Sequence, residues 1–317
     1  MVIYDKAYIE MRNKYILPLS NYGIVYNSLR SNSMKETIVS KFISVELRNG
    51  KDLFFSLEED VLFKGLLGDI QLFYLRYLIQ HRDVNKIENI LISPNWNIVT
   101  HYYEAFFAAS LLLRIMFRGN IYLENSLKKK LEELVSYNLG YAVSIDKSQF
   151  FEVIKDNDGY SLKLQRANPN THELVWEKMD SVINEMLLNS RDKSDEKSIL
   201  MALKKINNQL TKTYPSQIRN KVNYQPLYGL ETVERKLYSI NPQLAWTDFL
   251  LKNGDISWDD DNSVVNALFC YAQYIKLLSS NLITEYFQIK GNMNGVQRKF
   301  NEFSGETRIE SNVIYSV

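Results

Sequence analysis

One cysteine, six prolines, twelve glycines and three histidines are spread through 317 residues. With Cys270 alone, neither an intrachain disulfide nor a multi-cysteine zinc site can form. So sparing a use of cysteine fits a reducing compartment, most simply the cytoplasm. Cys270 lies in the apolar run VVNALFCYAQYIKLL, where a thiol behaves as a small hydrophobe rather than a nucleophile. The three histidines, His81, His101 and His172, have no zinc-ligand spacing. Neither sign of charge dominates: the net charge is +1, so any anionic partner must be held by a local patch. No run is long and apolar enough to span a bilayer, since the most apolar helix, around FFAASLLLRIMF, carries His101, Glu104 and Arg114. The N-terminal stretch MVIYDKAYIEMRNKYILPL lacks the basic start and apolar core of a signal peptide, and no membrane partner is expected. A Gly-rich phosphate loop is missing too: Gly65 and Gly68 in FKGLLGDI lack the lysine and the spacing. No nucleophile elbow and no cofactor motif stand out, and no cofactor is expected.

What is present is a globular composition, 45% hydrophobic and 24% charged, at a length that buries a sizeable core. KFISVELRNGKDLFFSL (41–57) predicts a β-hairpin, with Ile43, Val45 and Leu47 answered by Leu53, Phe55 and Leu57 across an Asn49-Gly50 turn. SPNWNIVTHYYEAFFAASLLLRIMFRG (93–119) predicts the central helix, capped by Ser93, started by Pro94 and ended by Gly119. Its apolar residues cover most faces, as suits the middle of a bundle. A shorter helix over 125–140 ends at Gly140, and a second hairpin follows, with Phe151 and Val153 facing Tyr160, Leu162 and Leu164 across Asp158-Gly159. Helical spacing returns over 172–190. SRDKSDEK (190–197) reads as a solvated connector to a helix that Pro215 breaks. Short helices are expected at 230–239 and 243–252, then a long one from about Asp261 to Lys290. The fold class is mainly α, a helical bundle with two inserted β-hairpins. Residues 1–92 read as N-terminal helices plus a hairpin, 93–290 as the helical core, and 291–317 as a polar tail.

Four places invite chemistry. GDISWDDDN holds Asp255, Asp259, Asp260 and Asp261, which either bind Mg²⁺ for phosphodiester chemistry or, more simply, cap the helix that starts there. Arg76 and His81 pair a cation with an imidazole but fall roughly 140° apart on a helix, which favours a solvated helix end. His101 caps or packs the central helix or, less simply, lines a cleft, and His172 after an Asn-Pro-Asn turn reads as solvent-facing. PSQIRNKVNYQP (215–226) starts a helix at Pro215 and places Arg219 and Asn220 in its first turns, with Tyr224 about one turn on. A cation and an amide near a helix start suit a phosphate, and Tyr224 suits a stacked base. The competing reading pairs Arg219 with a carboxylate and packs Tyr224 in the core. Residues 191–240 carry ten Lys and Arg against five Asp and Glu, which adds Lys212 and Lys221 as candidate nucleic-acid contacts.

HYYEAFFAASLLLRI (101–115) and IRNKVNY (218–224) together resemble the HEPN superfamily of prokaryotic helical proteins. The former is similar to the aromatic- and alanine-rich helix of that bundle. The latter resembles its Arg-Asn-x-x-x-His motif, and the layout is reminiscent of the YaaC-like branch. The resemblance implies a homodimer, a role in defence or toxin–antitoxin systems, and metal-independent RNA cleavage. Carried over, Arg219 holds phosphate and Asn220 orients it. Tyr224 stands where the family has His, and a phenol with a pKa near ~10 is a poor general base. Three readings follow. One is a binding or assembly module contacting RNA, a nucleotide or a protein. Another is a ribonuclease that borrows an imidazole from His101 or a neighbouring subunit. The third is a metal-dependent nuclease using Asp255 and Asp259 to Asp261.

Overall fold

The computed structural model describes residues 5–23, 33–87, 93–157, 159–167, 170–235, 246–252 and 256–290, with 295 and 298. The polypeptide enters through α1 (Lys6–Met11), a π-helical turn (Arg12–Ile16), α2 (Leu17–Leu19) and α3 (Met34–Ser40). A hairpin of β1 (Ser44–Arg48) and β2 (Asp52–Ser56) precedes two long helices, α4 (Glu59–Ile87) and α5 (Pro94–Ile115). Then come β3 (Arg118–Tyr122), α6 (Asn125–Leu139) and the hairpin β4 (Ser148–Asp156) and β5 (Gly159–Arg166). The remainder is helical: α7 (Thr171–Asn189), α8 (Asp195–Leu210), α9 (Tyr214–Tyr224), a π-helical turn (Tyr228–Glu234), α10 (Trp246–Lys252) and α11 (Asp261–Lys290). The molecule is mainly α with a small antiparallel sheet.

α5 runs through the centre, flanked along its length by α4 and α11 and crossed by α7 and α9. Its alanines, Ala105, Ala108 and Ala109, are fully buried and admit neighbouring backbones closely, while Tyr102, Leu111, Leu112 and Ile115 fill the remaining space. Three charged or ionisable side chains of this helix, His101, Glu104 and Arg114, are also buried, and each is paired. Among the described residues no helix is long and apolar enough to cross a membrane.

The two hairpins form one sheet rather than two decorations, in the order β1-β2-β5-β4-β3. β2 pairs with β5, so stretches 1–92 and 93–290 share this sheet. Val45, Phe55, Leu162 and Val153 lie in one cross-strand row, and Leu47, Leu53, Leu164 and Phe151 in the next. Asn49 (φ 54°) and Gly50 (φ 68°) both adopt the left-handed conformation that the first turn needs. Asp158 of the second turn lies outside the described residues.

Several expectations are corrected. Ile43, assigned to the apolar face, is 64% exposed. α5 ends at Ile115 and Phe117 takes the left-handed position (φ 63°), whereas Gly119 lies inside β3 opposite Phe151. A Cβ at 119 would approach the Phe151 ring to 2.7 Å, which explains why glycine is needed there. Glu196, expected in a solvated connector, is fully buried, and its carboxylate accepts the backbone N–H groups of Asp5, Ala7 and Tyr8 at 2.9–3.0 Å. Gly140 does close α6 in the left-handed conformation (φ 78°). Residues 236–245 of the two expected short helices, and nearly all of the 291–317 tail, lie outside the described residues.

Candidate functional site

The rotation of α9 follows from its apolar spacing. Tyr214, Ile218 and Val222 recur every four residues and are buried, so this stripe faces the bundle. The Tyr214 hydroxyl donates to the Ala267 carbonyl at 3.1 Å and pins the start of α9 to α11. Arg219 and Asn220 therefore fall at the edge of the buried stripe, half-buried, and Tyr224 points outward at 69% exposure.

Arg219 is held by neutral groups. Its Nη1 donates to Asn220 Oδ1 at 2.8 Å and its Nη2 to the Tyr103 hydroxyl at 2.5 Å. The guanidinium also lies 5.5 Å from the Tyr103 ring centre and 5.7 Å from that of Tyr224. Its Nε is buried without a partner. No carboxylate pairs with Arg219 among the described residues, and Tyr224 is exposed rather than packed in the core, which corrects that part of the competing reading. Burial works against the charge, but the bond to Tyr103 and the nearby phenols hold the guanidinium pKa above its ordinary value.

His172 belongs to the same cluster, against the expectation that it faces solvent. It is half-buried, with its ring 4.4 Å from Phe106 and 5.9 Å from Tyr103. The Tyr102 hydroxyl sits 2.8 Å from His172 Nδ1 and accepts from Trp176 Nε1 at 3.2 Å. Burial pushes the Tyr102 phenol pKa up, so the phenol keeps its proton. Burial, and secondly the charge of Arg219, push the imidazole down to about 4. At neutral pH the imidazole is thus neutral.

The other candidates lie elsewhere. His101 is buried against Phe269 and 3.6 Å from Glu104, on a different face of α5 from Tyr102. His81 is not solvated: its Nδ1 bonds to the buried Glu104, while Arg76 rests 5.0 Å above Phe107. Lys221 sits 4.5 Å over Trp258 and 5.5 Å from Tyr228. Lys212 pairs with Asp180 at 3.6 Å, beside Lys204 and Asn207. Asp260 caps α11 by accepting from the Ser263 backbone at 3.3 Å, Asp259 pairs with Ser257, and Asp261 bonds to Tyr228. Asp255 lies outside the described residues, and among the described residues no His, Cys, Asp or Glu group is arranged to hold a metal ion. Cys270 is buried and its pKa is pushed up to about 12, as suits an inert core thiol.

A cleft of about 420 Å³ opens between the first turns of α5 and the last of α9, and it shares Tyr224 with the surroundings of Arg219. Asn95, Trp96 and Val99 line it from α5, and Val222, Asn223 and Tyr224 from α9. Sequence reasoning did not single out Tyr102, Tyr103 and Trp96. One signal was there: Trp96, Val99 and Tyr103 follow three- and four-residue steps along one face, and Trp96 is a large aromatic in the polar stretch PNWN. No family model, curated protein or solved structure matches this chain.

Proposed function

We propose that this is a HEPN-like helical protein of a prokaryotic defence or toxin–antitoxin type system. It acts as a binding and assembly module whose Arg219 site takes a phosphate of RNA or a nucleotide. The observation that carries this reading is the coordination of Arg219 by a phenol and an amide, with no carboxylate among the described residues and Nε unpaired. A half-buried guanidinium is ordinarily neutralised by a carboxylate. Among the described residues no carboxylate compensates its charge, and a phosphate supplies both the charge and the forked acceptors that a guanidinium fits. The resemblance of IRNKVNY supports the assignment, and a homodimer follows from that resemblance.

A metal-independent ribonuclease is the alternative, favoured by the position of His172. A neutral imidazole beside a cation is the minimal pair for this chemistry: the base activates a 2′-hydroxyl and the cation steadies the phosphate. In this reading His172, whose ring lies 5.9 Å from that of Tyr103 and feels the Arg219 charge, takes the part given above to His101.

One assay tests both. Single-stranded oligoribonucleotide is titrated against the protein in EDTA, and the same samples are scored for cleavage. Arg219→Ala should weaken binding by roughly 10- to 150-fold, the worth of a hydrogen-bonded charge. Unchanged binding in Arg219→Ala would sink the phosphate reading. Cleavage that vanishes in His172→Ala would establish the ribonuclease, and intact RNA with wild-type protein would remove it.

A further inference from the structure

We propose that the cleft beside Arg219 is a nucleobase site, in which Trp96 and Tyr224 hold one unpaired base of a nucleotide unit whose phosphate lies on Arg219. The proposal rests on the phosphate reading of Arg219 and adds to it what else the site grips.

The geometry links the two places. On α5, Trp96, Val99 and Tyr103 share one face, and Tyr103 is the residue whose hydroxyl bonds to Arg219. On α9, Val222 and Asn223 lie about one turn beyond Arg219 along the backbone. Tyr224 joins the two, since its ring faces the guanidinium and also lines the cleft.

The lining suits a flat heteroaromatic ring. Trp96 and Tyr224 are 66% and 69% exposed, which is unusual for two large aromatics beside one opening. Every base has a face to stack on such rings, whatever its identity. Val99 and Val222 supply an apolar floor, and Asn95 and Asn223 supply amides. The Asn95 amide is fixed, with Nδ2 donating to Glu234 Oε1 at 2.7 Å and to the Gly229 carbonyl at 3.2 Å. Its Oδ1 is buried and has no donor among the described residues. The volume of about 420 Å³ lies inside the ~300–1,000 Å³ range of small-molecule sites.

The test compares three probes: a short single-stranded oligoribonucleotide, the matching abasic ribose-phosphate oligomer, and a free nucleoside monophosphate. Each is titrated against wild type, Trp96→Ala, Tyr224→Ala and Arg219→Ala. Both aromatic variants should lose roughly 5- to 150-fold in affinity for the oligoribonucleotide and nothing for the abasic oligomer. Arg219→Ala should lose affinity for both. Trp96→Phe and Tyr224→Trp keep a stacking face and should restore binding, which separates stacking from damage to the fold. Binding of the monophosphate places the source in free nucleotides, and binding of the oligomer alone places it in RNA. If Arg219→Ala weakens binding while both aromatic variants match wild type, the base site is overturned and the phosphate site stands. If wild type binds none of the probes, both fail, and the exposed Leu227 and Leu230 would point to a protein partner instead.

Discussion

His172 shows how burial and a neighbouring charge set a protonation state. Burial, together with the Arg219 charge, disfavours the imidazolium, holding the pKa near 4 against an ordinary 6.5. In the unfolded chain both influences vanish, so between these values the unfolded state binds a proton that the folded state refuses. Stability from this residue is therefore complete above about 6.5 and is lost as pH falls towards 4. His172 is half-exposed, so solvent screening reduces the effect to on the order of 1 kcal/mol. Urea denaturation at pH 7.5 and pH 4.5 should show this loss in wild type, and a smaller pH dependence in His172→Gln. Equal pH dependence in the two proteins would mean that the imidazole titrates normally. None of this was legible from the sequence around His172, because its partners Tyr102 and Arg219 are 70 and 47 residues away. An Asn-Pro-Asn turn before a histidine is the same whether the ring faces water or an aromatic wall.

At the scale of elements, local signals worked where the physics is local. Asn49-Gly50 marks its turn because few other dipeptides tolerate two left-handed residues, and Gly140 marks a helix end for a related reason. β3 escaped notice because five residues, RGNIY, carry no alternating pattern, and only pairing with β4 makes them a strand. Glu196 escaped for the opposite reason. In SRDKSDEK it resembles an ordinary acid in a first helical turn, yet it serves the N-terminus of another helix, accepting three backbone N–H groups from α1. Glu196→Ala leaves those donors buried without an acceptor and should cost about 2–4 kcal/mol. Glu196→Gln keeps one carbonyl acceptor and should cost less. Amide hydrogen exchange should show loss of protection concentrated in α1. Uniform loss over the molecule would mean that Glu196 acts through core packing rather than as a cap.

For the whole molecule, the informative residue is Glu104, whose carboxylate is fully buried where α4, α5 and α11 meet. Lys276 of α11 donates to it at 2.8 Å, His81 of α4 bonds to the same oxygen, and His101 lies 3.6 Å from the other. Burial opposes its ionisation, but Lys276, and then His101 and His81, hold its pKa well below the usual carboxylate range. The sequence shows a charged residue in an apolar helix and so rules out a membrane span. It does not show the partners, which come from 23 residues upstream and 172 downstream. A buried pair of this kind is costly to break on one side, because the remaining charge has no water and no counter-charge. Glu104→Leu alone strands Lys276 and should destabilise the fold by about 3–5 kcal/mol. Removing both charges together leaves no stranded ion, so the double variant Glu104→Leu, Lys276→Met should recover most of that loss. Urea unfolding of the two single variants and the double completes the cycle. Losses that simply add would show that each side chain contributes through packing alone, and that charge pairing does not hold the three long helices in register.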